Sequence, residues 1–72
     1  MPEGLSNRLK EERARRGWTQ AELADRAGVS RKTINTVENG VFIPSTILAL
    51  RLARVLARPV EELFALVDEG SD

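Results

Sequence analysis

The 72-residue sequence predicts an all-α domain of five short helices. Three observations predict it. Apolar residues recur at helical spacing, a capping Ser or Thr precedes most of these segments, and no stretch alternates as a strand would. The length allows a single domain, residues 1–72, with its core at about 5–66 and an acidic tail at 67–72.

Ser6 is the expected cap of the first helix, which runs to about Arg16 with Leu5 and Leu9 four apart and Gly17 as the stop. Thr19 caps the second helix, and Glu22 three residues later completes a capping box. Leu23, Ala24 and Ala27 form its buried side, Gly28 ends it, and Val29 follows as a lone apolar turn residue. Ser30 caps the third helix, whose inward residues are Ile34 and Val37, and Asn39-Gly40 stops it. Only about three residues separate helices two and three, so they must cross steeply. The unit at about 19–39 is therefore a helix-turn-helix.

An apolar loop follows, Val41-Phe42-Ile43-Pro44. Ser45 then caps a fourth helix to about Ala57, with Leu48, Leu52, Val55 and Leu56 inward. Pro59 suits the first turn of a fifth helix, where its missing N–H costs nothing, and Leu63 and Phe64 give that helix its apolar side. The tail Asp68-Glu69-Gly70-Ser71-Asp72 is polar and is expected to fray.

Composition narrows the function classes. With no cysteine and no histidine, disulfide staples, thiolate zinc sites and the usual general base are excluded. A chain this short depends on dense helix packing, to which dimerisation is expected to add. No apolar run approaches the ~20 residues of a membrane span. Met1-Pro2-Glu3-Gly4 does not open a secretory signal, so a cytoplasmic protein is expected. Lys10 and Lys32 lie on polar faces, and Glu11-Glu12 and Glu61-Glu62 point to different sides of their helices. With no phosphate loop and no metal-ligand spacing, neither an enzyme nor a cofactor, metal or small-molecule substrate is expected.

The eleven basic and eleven acidic side chains cancel overall, but not locally. Residues 1–58 carry all eleven basic side chains against six acids, a net +5, and residues 59–72 carry the other five acids. One end is basic and the other acidic, as expected of a polarised surface.

The chemistry concentrates on the third helix. With Ile34 and Val37 inward, Arg31, Lys32, Asn35, Thr36 and Asn39 face out, and the pairs 31/35, 32/36 and 35/39 stack along one face. These side chains match the hydrogen-bonding groups of base edges in a major groove. An ordinary solvated helix face has the same residue types. Thr19 and Gln20 stand at the N-terminus of helix two, where free N–H groups attract phosphate; Thr19 also has its own helix to cap.

Taken in order, Trp18-Thr19-Gln20-Ala21-Glu22-Leu23-Ala24, Gly28-Val29-Ser30-Arg31-Lys32-Thr33-Ile34, Val37-Glu38-Asn39-Gly40, Pro44-Ser45 and Glu61-Glu62-Leu63-Phe64 resemble the Cro and phage-repressor (Xre-like) family, over roughly residues 5–66. The resemblance implies a lambda-repressor-like five-helix DNA-binding domain, a homodimer on double-stranded DNA, and transcriptional repression. By position it implies that Arg31, Lys32 and Thr36 face base edges, with Asn35 a further candidate. It implies that Gln20 contacts phosphate and can support a base contact, and that Thr33 and Asn39 reach the backbone. Thr19 and Ser30, at the two helix N-termini, join this phosphate-contacting set. Arg13 and Glu38 match a family ion pair that braces helix three against helix one; direct contact of the pair with DNA is the alternative.

Some positions depart from the pattern. Glu12 stands at a usually apolar position, which predicts looser packing or a slight shift of helix one. Ile47 replaces a common polar residue, and the loop before it is unusually apolar. Phe42, Ile43 and Ile47, with Pro59 and Val60, are the candidate dimer contacts; a lid folded back on the core is the alternative. Trp18 is expected to pack between helices. The functional expectation is a homodimer that sets two copies of helix three in successive major grooves, roughly 34 Å apart, on an inverted repeat. In the cell such a protein associates with the nucleoid. The alternative is an antitoxin or adaptor of the same fold that grips a partner protein through the apolar loop and helix five.

Overall fold

The computed structural model describes residues 4–67, so the tail at 68–72 lies outside the described residues. In chain order the elements are β1 (Gly4–Asn7), α1 (Leu9–Arg15), α2 (Gln20–Ala27), α3 (Arg31–Glu38), α4 (Thr46–Leu56), α5 (Val60–Leu63) and β2 (Phe64–Val67). The five helices follow the predicted order. Leu9, Leu23, Ala24, Ala27, Ile34, Val37, Leu48, Leu52, Leu56 and Leu63 form the core, so every helix supplies at least one fully enclosed side chain. Val29 and Val55 pack against that core from its margin.

The two ends of the described chain differ from the expectation. They pair as a two-stranded antiparallel sheet, with Gly4 opposite Val67 and Asn7 opposite Phe64. Ser6 therefore caps nothing; its hydroxyl donates to the Ala65 carbonyl. Helix one begins later, at Leu9, whose N–H donates to the Asn7 side-chain oxygen at 3.2 Å. Helix five is a single turn. Phe64 leaves it with extended backbone, φ −129° and ψ 139°, and belongs to the strand. Pairing across about sixty residues of chain has no local periodicity, and strands of four residues are too short to show alternation.

Helices four and five meet through Ala57, a non-glycine residue in the left-handed region at φ 54°. That turn carries the chain directly into Arg58 and Pro59, the latter standing at the cap of α5 rather than inside it. The Leu63 carbonyl then accepts from the Arg8 N–H at 2.9 Å, which seats α5 against the start of α1.

Candidate nucleic-acid interface

The helix-turn-helix is set by three residues between α2 and α3. Gly28 ends α2 at φ 72°, a backbone state that costs other residues roughly 1 kcal/mol or more. The Val29 N–H returns to the Ala24 carbonyl at 3.0 Å while its half-buried side chain packs against the core, and Ser30 restarts the helix. The Ser30 hydroxyl accepts from the Thr33 N–H at 3.1 Å and shares a hydrogen with the Thr33 hydroxyl at 2.9 Å. At the start of α2 the Thr19 hydroxyl accepts from the Glu22 N–H at 3.1 Å, and the Glu22 carboxylate accepts from the Thr19 N–H at 2.7 Å. Both helix starts are thus capped from within.

Along α3, Arg31, Lys32, Asn35 and Asn39 are exposed, whereas Thr33 and Thr36 are half-buried. Neither Arg31 nor Lys32 takes part in a salt bridge among the described residues, so both cations project to solvent. The Thr36 hydroxyl donates back into its own helix, 3.0 Å from the Lys32 and Thr33 carbonyls. The Thr36 carbonyl in turn accepts from the Val41 and Phe42 N–H groups, which ties the apolar loop to the end of the helix.

A polar chain crosses from α1 to this face. Arg13 Nε donates to Glu38 Oε2 at 2.8 Å and Arg13 Nη2 to Glu38 Oε1 at 3.2 Å. Arg13 Nη1 donates to the Trp18 carbonyl at 2.9 Å. Gln20 Nε2 donates to the same Glu38 Oε1 at 3.0 Å, Asn35 Nδ2 to Gln20 Oε1 at 3.4 Å, and Asn39 Nδ2 to Asn35 Oδ1 at 3.3 Å. The Glu38 side chain is 3% exposed, so the chain starts in the interior and surfaces on the exposed amides.

Two further residues do work that the sequence reading did not assign to them. Asn7 Nδ2 donates to the Val37 carbonyl at 3.0 Å, holding the C-terminal end of α3 from the first strand. Glu12 is buried, yet it does not loosen helix one. Its carboxylate takes Arg16 at 2.9 Å and Arg58 at 3.3 Å, with Arg15 at 4.0 Å. The hydrogen bond from Arg16, helped by Arg58, holds the Glu12 carboxyl below its ordinary range. The Arg16 partner stands four residues away and was open to detection; Arg58 was not. Trp18 packs against the core under the Arg26 guanidinium, 4.2 Å above the ring, with Arg16 5.8 Å away.

The candidate dimer contacts divide. Phe42 and Ile43 line a groove of about 150 Å³ with Leu5, Pro44 and Phe64, and Ile43 and Ile47 stand about 70% exposed. Pro59 and Val60 do not line it. Leu50, not singled out from the sequence, extends the exposed apolar surface of α4. Among the described residues no helix is long and apolar enough to cross a membrane, and no cluster of ligating side chains could hold a metal.

A short turn holding an exposed, cation- and amide-bearing helix against a capped partner helix defines a small helix-turn-helix protein. Known proteins agree. A helix-turn-helix family model matches residues 9–63, and the chain belongs to this family of DNA-binding transcriptional regulators. It is 47% identical over 64 residues to an HTH-type transcriptional regulator of Methanothermobacter thermautotrophicus, spanning 88% of this chain and 93% of that protein. It is 37% identical over 66 residues to the regulator YgzD of Bacillus subtilis, spanning 92% of this chain and all of the other. Among solved structures it is similar to the restriction-modification controller protein C.AhdI from Aeromonas hydrophila, with TM-score 0.73 and 34% identity over 76% of this chain and 83% of that one.

Proposed function

We propose that the chain is a sequence-specific repressor that binds an inverted-repeat operator as a homodimer. The observation that carries this reading is the outward face of α3, where among the described residues Arg31 and Lys32 form no salt bridge and Asn35 and Asn39 are already ordered by hydrogen bonds. Arg31, Lys32, Asn35 and Thr36 specify bases. Thr19, Gln20, Ser30, Thr33 and Asn39 set register on phosphates. The exposed Phe42, Ile43, Ile47 and Leu50 support self-association, since this much apolar side chain left in water on a small domain marks a contact. Repression follows from occupying promoter DNA.

Selection from a random duplex library at about 0.15 M salt tests this, because bare phosphate attraction is already weakened there. Enrichment of an inverted repeat with half-sites about one helical turn apart is the expected result. Lys32→Ala should flatten the preference at one position of each half-site, and Thr33→Ala should weaken all duplexes about equally. If a folded Lys32→Ala protein keeps every preference, α3 does not lie in the groove as proposed. Absence of enrichment by the folded wild type shifts the weight to the adaptor reading, in which the same apolar surface grips another protein.

A further inference from the structure

Asn and Gln side chains carry a donor at one end and an acceptor at the other, and turning the amide over exchanges them. Whatever holds an amide one way round therefore decides what it offers to a base. On α3 this choice is made inside the protein. An ionised carboxylate only accepts, and both oxygens of Glu38 already face the Arg13 guanidinium. The end of Gln20 that lies 3.0 Å from Glu38 Oε1 must then be its nitrogen, which turns the Gln20 oxygen toward Asn35. That oxygen selects the nitrogen end of Asn35 at 3.4 Å, and the Asn35 oxygen is left for Asn39 Nδ2 at 3.3 Å.

We infer that Glu38 is a positioning residue for base discrimination: through Gln20 it determines which way round the Asn35 amide stands on the exposed face of α3. The inference rests on the reading of α3 as the base-contacting helix. Gln20 and Asn35 each use one hydrogen and one lone pair within the chain of amides, so Asn35 keeps one N–H and one lone pair for a ligand. That pair of groups complements the N7 acceptor and N6 donor of adenine in the major groove. With Gln20 reversed, its NH2 would face the Asn35 NH2, and the presented pattern would lose its definition. Arg13 contributes by occupying both Glu38 oxygens; among the described residues its hydrogen bonds to α3 go to this carboxylate alone.

The test compares base-preference profiles from the random duplex library for wild type, Asn35→Ala, Gln20→Met and Glu38→Gln, each verified as folded by circular dichroism. Asn35→Ala locates the position that Asn35 reads. Gln20→Met and Glu38→Gln are expected to flatten that same position by about tenfold, while the positions read by Arg31 and Lys32 keep their preferences. A purely structural role for Glu38 would instead lower affinity across all positions together. Gln20→Met leaves the Arg13–Glu38 pair intact, so it decides the matter even if Glu38→Gln does not fold. Retention of full preference at the Asn35 position by Gln20→Met overturns the relay while leaving α3 as the reading helix. No change at any position in Asn35→Ala overturns the relay because Asn35 then reads no base, and the Lys32→Ala profile shows whether the helix reads any.

Discussion

Among the described residues two glutamate side chains, those of Glu12 and Glu38, are enclosed, and they are used in opposite ways. Glu38, at the end of α3, is held by the two-pronged Arg13 guanidinium and passes its second contact outward to Gln20. Glu12, in α1, gathers Arg16, Arg58 and Arg15, and its contacts run toward the end of α4 and the start of α5. Arg58 also reaches Glu62 at 3.0 Å, and Arg16 also donates to the Leu56 carbonyl. One carboxylate therefore organises the face proposed to meet DNA, and the other pins the end of α4 and the single-turn α5. A buried acid is costly unless paired; Glu38 is paired by Arg13 from α1, and Glu12 by Arg15 and Arg16 at the end of its own helix together with Arg58 from the turn between α4 and α5. The difference lies in what remains over: Glu38 has an amide to orient, and Glu12 has only cations.

The largest test of this contrast is Arg13→Ala, which leaves Glu38 enclosed without its cation. Chemical denaturation should show a loss of about 3–5 kcal/mol. A loss under ~1 kcal/mol, the level of an exposed pair, would mean that Glu38 does not depend on Arg13. Acid titration tests the other site. Because the Glu12 carboxyl is held below its ordinary range in the folded chain, its pairing stabilises the fold above the unfolded value of about 4.3, and that contribution disappears as pH falls through the lower folded value. Thermal midpoints followed from pH 7 to pH 3 should drop less for Glu12→Gln than for wild type. Equal slopes would show that Glu12 is not the group being titrated.

A smaller, local effect separates the two halves. Arg58→Ala should speed hydrogen exchange of the Arg8 N–H, which seats α5 against α1, and leave the base-preference profile unchanged. A changed profile would mean that the two sites are coupled. The smallest effect is expected at Ala57, whose left-handed backbone precedes Arg58. Ala57→Gly should stabilise by about 0.5 kcal/mol, the relief of strain outweighing the entropy added to the unfolded chain. Destabilisation there would show that the unfolded-state term dominates.

The contrast also marks how far the sequence could be read. Thr19 with Glu22, Gly28, and Ser30 are signals contained within a few residues, and each helix start or stop they predict is present. Arg13 and Glu38 are twenty-five residues apart and were paired only through family resemblance. Glu12 and Arg58 are forty-six apart with no such guide, so Glu12 looked like a defect in an apolar stripe. The strands failed for the same reason, since Ser6 looks like a cap until Ala65 is known to lie beside it. On the reading face, residue types were legible, but the direction of the amide chain depends on which atom of Gln20 meets Glu38.

Trp18 joins the two halves. Its carbonyl accepts from Arg13, the partner of Glu38, while its ring lies near Arg16, the partner of Glu12. With one tryptophan and no tyrosine in the chain, ultraviolet emission comes from this single indole. The protein thus has a built-in optical probe at the junction of its two ion-pair systems. A shift in its emission on adding duplex would report movement at that junction without any attached dye.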